Sequence, residues 1–277
     1  MKLITWNVAG RVAKLPAQAK RLLGLDLDVV CLQEVTVKTV LLWRDIFESK
    51  GYVVHDSFEL CRERSCLNGR RKYGELVASR YPLETLEPTE FPIPWTERIL
   101  SVSVQTPHGT LELHNAHLPA GASDRREGTF IKSETFEGIA VRLRKAAAAD
   151  HRILCGDFNS PEEERADGAV LCWGGRWDTA GHAAPRTSER FIRQYQAEHA
   201  VMVDTATLGM TDVYRGLHGY EDSGYSWATR NGSHRRFDHV FASGALAALK
   251  ADYLLDWLTD GLSDHAPLLV RLGSPEA

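Results

Sequence analysis

The stretch Ile153-Leu154-Cys155-Gly156-Asp157-Phe158-Asn159-Ser160-Pro161 narrows the architectures open to this chain. It begins as a short apolar run, the pattern of a buried strand, and breaks at Gly156. Beyond the break stand an acid and an amide two residues apart, then Ser-Pro, which favours a turn. Period-two geometry points Asp157 and Asn159 to one side of the sheet edge. A carboxylate able to hold a water, beside an amide able to steady an oxyanion, is hydrolytic equipment. The same residue types build ordinary turns, so the stretch read alone is equally a turn. Its weight comes from other segments of the chain that follow the same recipe.

Lys2 to Val8 is β-branched and aromatic and ends at Ala9-Gly10, which predicts a strand with Asn7 at its end. Leu15 to Leu25 carries apolar residues at helical spacing. Asp28 to Leu32 is a second buried strand that runs out in Gln33-Glu34. A helix over Thr39–Ser49 and strands over Tyr52–Phe58, Glu75–Ser79, Ile99–Gln105 and Thr110–His117 follow. On the last of these, alternation puts Asn115 and His117 on one face and His114 on the other, so the two histidines do not form a metal pair. An irregular charged segment, Ser123–Lys132, leads into a helix over Glu134–Ala149. Pro161–Ala206 reads as a helix plus surface loops, and Thr211–Leu217 as a helix start. Strands are expected at Tyr225–Trp227, Phe237–Phe241, Leu254–Leu258 and Leu268–Leu272, with Asp264-His265 opening the last. No repeat or linker interrupts the 277 residues, so one domain spanning 1–277 is expected.

Charge and cysteine content exclude several classes. A net charge of −4 argues against a protein that coats nucleic acid by charge alone, while leaving room for a locally basic groove. The loop Cys61–Tyr73 holds five basic residues and one acid, and reads either as a solvated hairpin tip or as a phosphate contact. Five cysteines, two of them inside apolar runs, form neither a disulfide framework nor a zinc pattern. With no signal peptide and no apolar stretch near membrane-spanning length, a cytoplasmic protein without membrane contact is expected.

Thr5-Trp6-Asn7-Val8, Leu32-Gln33-Glu34, Gly156-Asp157-Phe158-Asn159, Arg236-Phe237-Asp238 and Ser263-Asp264-His265 resemble, in order and rough spacing, the five signature blocks of the endonuclease/exonuclease/phosphatase superfamily. Within it the chain looks most like exonuclease III and the abasic-site endonucleases. Leu118-Pro119-Ala120-Gly121 and Phe130-Ile131-Lys132 also resemble stretches of the bacterial exonuclease. The resemblance implies an α/β fold, a four-layer sandwich of two mixed β-sheets packed face to face with helices outside, like deoxyribonuclease I. It also implies a Mg²⁺- or Mn²⁺-dependent phosphoester hydrolase with its site at one end of the sandwich.

The roles follow from that chemistry. Mg²⁺ prefers one or two carboxylates, so Glu34 is the first metal ligand, with Asn7 beside it and Asp264 as a further one. Asp157 is the base for the attacking water and Asn159 the oxyanion donor. Asp238 orients His265 toward a phosphate oxygen. His117 stands where exonuclease III carries tyrosine and deoxyribonuclease I and several phosphatases carry histidine. It is assigned a contact to phosphate or leaving oxygen. Ala9 replaces an acid found in some abasic endonucleases. The resemblance makes Lys132 a phosphate contact. Trp227 and Phe237, as a stacking pair, and Arg98 complete the expected substrate contacts. The expected partner is double-stranded DNA, cut at abasic sites or from a 3′ end, with no obligate protein partner. The alternative is a phosphatase or phosphodiesterase acting on a small molecule, a lipid head group or a protein–DNA phosphotyrosyl link.

Overall fold

The structure is a computed structural model, described for residues 1–61, 64–87, 92–120, 126–145, 151–229 and 231–273. The apolar runs assemble into two six-stranded sheets. The first comprises β1 (Lys2–Asn7), β2 (Val29–Thr36), β3 (Val53–Asp56), β4 (Tyr73–Ser79), β17 (Ala247–Tyr253) and β18 (Leu268–Gly273), in the order β17-β18-β1-β2-β4-β3. The second comprises β5 (Leu83–Thr85), β6 (Ile99–Thr106), β7 (Gly109–His117), β8 (His151–Asp157), β13 (Met210–Asp212) and β16 (Asp238–Ser243), in the order β13-β16-β8-β7-β6-β5. Each sheet holds one parallel pair at its centre, β1 with β2 and β7 with β8, and is otherwise antiparallel.

Alternation along the strands decides the layering. Leu3, Val29, Cys31 and Val77 of the first sheet meet Leu100, Val102, Leu113, Ile153 and Cys155 of the second in a core between the sheets. The opposite rows face helices. Ile4, Trp6, Val30 and Leu32 pack on α1 (Leu15–Leu23), α2 (Val40–Glu48) and α6 (Leu255–Thr259). Leu154 and Phe241 pack on α3 (Arg126–Arg144) and α4 (Glu189–Met202). The expected four-layer α/β sandwich of two mixed sheets is therefore the fold.

Several boundaries differ from expectation for physical reasons. β2 does not stop at Leu32. It continues through a bulge between Leu32 and Val35, with Glu34 at φ +56°. Leu254–Leu258 is a helix, not a strand, because Trp257 and Leu262 seal the outer face of β1. The strand lies just before it, at β17, an Ala-rich edge with no period-two signal. Thr211 belongs to β13, and α5 (Val213–His218) starts only after the Asp212 side chain caps it. α3 begins at Arg126, earlier than expected. The preceding residues 121–125 and the expected helix end at 146–149 lie outside the described residues. Asp264-His265 lies in the loop that leads into β18, whose start at Leu268 is as expected. Within 161–206 the chain makes two small ribbons, β9 (Glu163–Glu164) with β10 (Val170–Leu171) and β11 (Gly175–Trp177) with β12 (Ala183–Pro185), before α4. A third, β14 (Trp227–Ala228) with β15 (His234–Arg235), precedes β16. The basic loop folds into short 3₁₀ turns, with Arg62 and Glu63 outside the described residues. Arg71 is clamped on the buried Glu97 at 2.6 and 2.7 Å, a structural pin instead of a solvated tip. Among the described residues the cysteines form no disulfide. Among the described residues no helix is long and apolar enough to cross a membrane.

Candidate active site

The two parallel pairs and the neighbouring strands bring their polar ends to one edge of the sandwich. In β1, β7 and β8 the row that faces the other sheet ends in Asn7, His117 and Asp157, and in β16 it begins with Asp238. The side chains that emerge from the core between the sheets are therefore the polar ones. Gly156 lets this happen. It adopts φ +133°, and a Cβ there would lie 1.8 Å from the Ala116 carbonyl oxygen of β7. Below the site, Gln33 and Asn115 join the sheets. Gln33 Nε2 donates to Asn115 Oδ1 at 2.6 Å, and Asn115 Nδ2 donates to the carbonyls of Leu32 and Leu76.

Asp157 is the centre. Its Oδ2 accepts from Asn7 Nδ2 at 2.8 Å and Asn159 Nδ2 at 3.3 Å, and its Oδ1 accepts from the Asn159 backbone N–H at 2.8 Å. Nε2 of His117 lies 3.7 Å and Nε2 of His265 3.8 Å from Oδ2. Burial is the largest influence on its carboxyl and pushes it up to about 7. Asp238 adds to this, while His265 and the bonds from Asn7 and Asn159 oppose it. His265 Nδ1 donates to Asp238 Oδ2 at 2.7 Å. Burial works against its positive form, but the carboxylates of Asp238 and Asp157 outweigh it and raise the imidazole to about 10. His265 is thus a cation at neutral pH.

His117 is the opposite case. Arg98 Nη1 donates to its Nδ1 at 2.5 Å, and burial together with the cations Arg98 and His265 holds it well below the ordinary histidine value. It is a neutral ring that presents an Nε2–H toward Glu34 and Asp157, 3.6 and 3.7 Å away. Glu34 itself is pushed up, mainly by burial and partly by Asp264, against the bond from Asn7.

The structure modifies three expected assignments. Asn7 Nδ2 bridges Glu34 Oε1 (3.2 Å) and Asp157, while its Oδ1 accepts the Ala9 backbone N–H at 2.9 Å. Its amide therefore faces the acids with its donor side and positions them, where a metal ligand would offer oxygen. Asp264 lines the cavity, but its side chain is 54% exposed and paired with Arg11 at 3.4 Å, apart from the tight groups. Lys132 does not reach the cavity. It is fully buried, and its ammonium donates to the Asn159 carbonyl at 2.8 Å and pairs with Glu198 at 3.5 Å.

The remaining predicted residues converge. Glu34, His117, Asp157, Asn159 and His265 open onto a cavity of about 630 Å³, walled by Trp227 and Phe237 with rings stacked 5.3 Å apart. Arg98 also lines it, its guanidinium 5.7 Å from the Tyr73 ring and 5.6 Å from the Trp95 ring. Sequence reading missed Tyr73, Trp95 and Trp173, which share this lining; Arg235, read from the sequence as a backbone contact or a solvated hairpin residue, lines it too. Sequence reading also missed the supports. Ser226 Oγ accepts from the N–H groups of Phe237 and Asp238, and Trp6 Nε1 donates to the His265 carbonyl at 2.9 Å. No local pattern marks a serine or a tryptophan for such a role.

A four-layer sandwich whose joined sheet ends carry acids, amides and oriented imidazoles defines a class of phosphate-ester hydrolases. A sequence profile described as the Endonuclease/Exonuclease/phosphatase family matches residues 4–265, and the chain belongs to that family. Comparison with curated protein sequences finds no match. Solved structures similar in fold include an AP endonuclease from Archaeoglobus fulgidus (20% identity, TM-score 0.69, 98% of each chain covered). They also include a 3′ phosphatase from Neisseria bound to a product DNA hairpin (20%, 0.65, 99% of each chain) and D. rerio TDP2 with a single-strand DNA product (17%, 0.64, 99% of each chain).

Proposed function

We propose that this protein hydrolyses phosphodiester bonds in DNA with the help of a divalent cation, Mg²⁺ or Mn²⁺. The observation that carries the reading is Asp157, a buried carboxyl pushed to about 7 and held by Asn7 and Asn159 between a neutral and a cationic imidazole. Such a group is ionised often enough at neutral pH to take a proton and basic enough to keep it.

The donor set fits a hard cation. Carboxylate oxygens of Glu34 and Asp157 lie within 4.8 Å of each other, and burial disfavours the ionised form of both acids, a cost that a cation relieves; His117, whose Nε2 carries a proton, stays outside this oxygen set. Glu34 would hold the ion, with Asp264 at the rim of the same cavity. When bound, it polarises the phosphate and offsets its charge. The protein's own groups take the proton from the attacking water and orient the phosphate; as the new P–O bond forms, the bond to the leaving oxygen breaks and that oxygen takes a proton from solvent. Asp157 aligns a water and accepts its proton. His265, kept cationic by Asp238, donates through Nε2 to a non-bridging oxygen. The Nε2–H of His117 supplies a neutral donor toward the same phosphate, while the Asn159 amide, bonded to the Leu118 carbonyl at 2.9 Å and to Asp157 at 3.3 Å, holds the base in place.

Support for DNA comes from the aromatic walls, which suit unstacked bases or sugars, and from two fold neighbours captured with DNA products. Cleavage at an abasic site or from a 3′ end is the specific form. A second reading, a small phosphoester or a protein–DNA phosphotyrosyl link, is favoured by the cavity wall of Tyr73 and Trp95 with the Arg98 cation beside both rings, a surface on which one flat ring can rest. The test offers the protein, with Mg²⁺, a duplex with one abasic site, intact single- and double-stranded DNA, and an oligonucleotide with a 5′-phosphotyrosine. EDTA and Asp157→Ala are the controls. Metal-dependent nicking of the abasic duplex, reduced about 10²–10⁴-fold by Asp157→Ala, supports the first reading. Release of tyrosine alone moves the assignment to the second. Cleavage that survives Asp157→Ala refutes the mechanism.

A further inference from the structure

The segment that sequence reading resolves least, 161–206, supplies two side chains that close a ring behind the catalytic loop. Asn159 is a non-glycine residue at φ +48°, a left-handed conformation that must be held by its surroundings. Its carbonyl oxygen accepts two side-chain bonds, from Lys132 Nζ at 2.8 Å and Trp173 Nε1 at 2.9 Å, which occupy both of its lone pairs. Glu198, fully buried on α4, completes the ring. It pairs with Lys132 at 3.5 Å, accepts from the Trp173 backbone N–H at 3.2 Å, and accepts from Ser160 Oγ at 2.6 Å.

A buried Lys–Glu pair is poor evidence of added stability, since apolar residues of similar volume fill space at lower cost. Here the ammonium's shortest bond and the carboxylate's shortest bond end on adjacent residues, Asn159 and Ser160, of the loop that carries the chemistry. Trp173 joins the same ring while its indole forms part of the cavity wall. We infer that Lys132 and Trp173 are positioning residues, which clamp the Asn159 carbonyl from behind and so aim its amide and backbone N–H at Asp157. Glu198 anchors both. This departs from the phosphate contact expected for Lys132, whose ammonium is turned away from the cavity. It rests on the reading that Asn159 serves the hydrolysis.

Two variants probe the clamp. Trp173→Phe removes one N–H and keeps an aromatic wall. The paired variant Lys132→Met/Glu198→Gln removes both buried charges together, so that neither is left uncompensated. Each is made alone and on an Asn159→Ala background, and hydrolysis of bis(4-nitrophenyl) phosphate with Mg²⁺ is followed. In the native background kcat falls about 10–100-fold with KM changed by less than about threefold. On Asn159→Ala the further loss is smaller by at least about threefold, since the side-chain amide is gone and only the backbone N–H is left to aim. Equal losses in both backgrounds make the effect a general structural one and overturn the inference. So does an unchanged kcat when Asn159→Ala itself is impaired. Amide hydrogen exchange without metal decides the clamp independently of turnover. Both variants must speed exchange across 157–160 and leave 151–155 unchanged. If Asn159→Ala is fully active, the role of Asn159 in the reaction fails, and exchange alone then upholds or refutes the clamp.

Discussion

Asp238→Asn is the sharpest probe of the site, because it removes one charge and keeps an acceptor for His265 Nδ1. The gap between about 10 in the folded protein and the ordinary 6.5 is 3.5 pH units, or about 5 kcal/mol at about 1.36 kcal/mol per unit. That preference is shared between Asp238, bonded at 2.7 Å, and Asp157, 3.8 Å from the other nitrogen. Loss of the Asp238 charge therefore costs about 2–4 kcal/mol. The folded value lies above the unfolded one, so the stabilisation is complete below about pH 6.5 and drains away as pH rises to about 10. In metal-free urea unfolding the variant should be destabilised by that amount at pH 6 and by less than about 1 kcal/mol at pH 10. In the pH–rate profile the basic limb, set by loss of the His265 proton, should move down from about 10 toward neutrality. A destabilisation equal at both pH values, or a basic limb that stays in place, refutes the assignment of the His265 charge to Asp238.

Glu34→Gln should lower turnover by at least about 100-fold. It should also abolish the rise in melting temperature that millimolar Mg²⁺ gives the native protein, while metal-free stability is unchanged or higher because a buried acid is relieved. Arg98→Met should cost about 3–5 kcal/mol in urea unfolding. It strips the cation from among Glu75, Glu34 and Glu97, and both carboxylate oxygens of the buried Glu75 already lack hydrogen-bond partners. Retention of full stability by that variant would show that those acids are protonated.

The readable parts of this molecule were those governed by strand period and strand ends. Asn7, Asp157 and His117 could be placed together because each closes an inward-facing row, and alternation alone separated His114, which turns to Ser101 and Glu112. Glu34 was found by its block, although the bulge that turns it inward leaves no mark in the composition. What stayed hidden depends on contacts distant in sequence. The burial of Lys132 follows from Glu198, 66 residues later, and the pocket role of Trp173 follows from a ribbon too short to show a period. The helix at Leu255 was read as a strand, and the strand at Ala247 drew no reading. Five residues of which four are apolar, Leu254, Leu255, Trp257 and Leu258, fit either period, and an Ala-rich edge fits neither.

The seam between the sheets carries a consequence for how the enzyme fails. Asn7 and Glu34 ride on one plate, and Asp157, Asn159, Asp238 and His117 on the other. His265 hangs from the first plate and grips the second. Neither plate holds a working set alone, so the chemistry is an alignment between two slabs that touch through aliphatic rows and are pinned at one point by Gln33 and Asn115. A sideways slip of one ångström would expose almost no core, yet it would part Asn7 from Asp157 and His265 from Asp238. Inactivation by urea or heat should then run ahead of the loss of secondary structure, with the hydrolytic rate acting as a vernier on sheet registry.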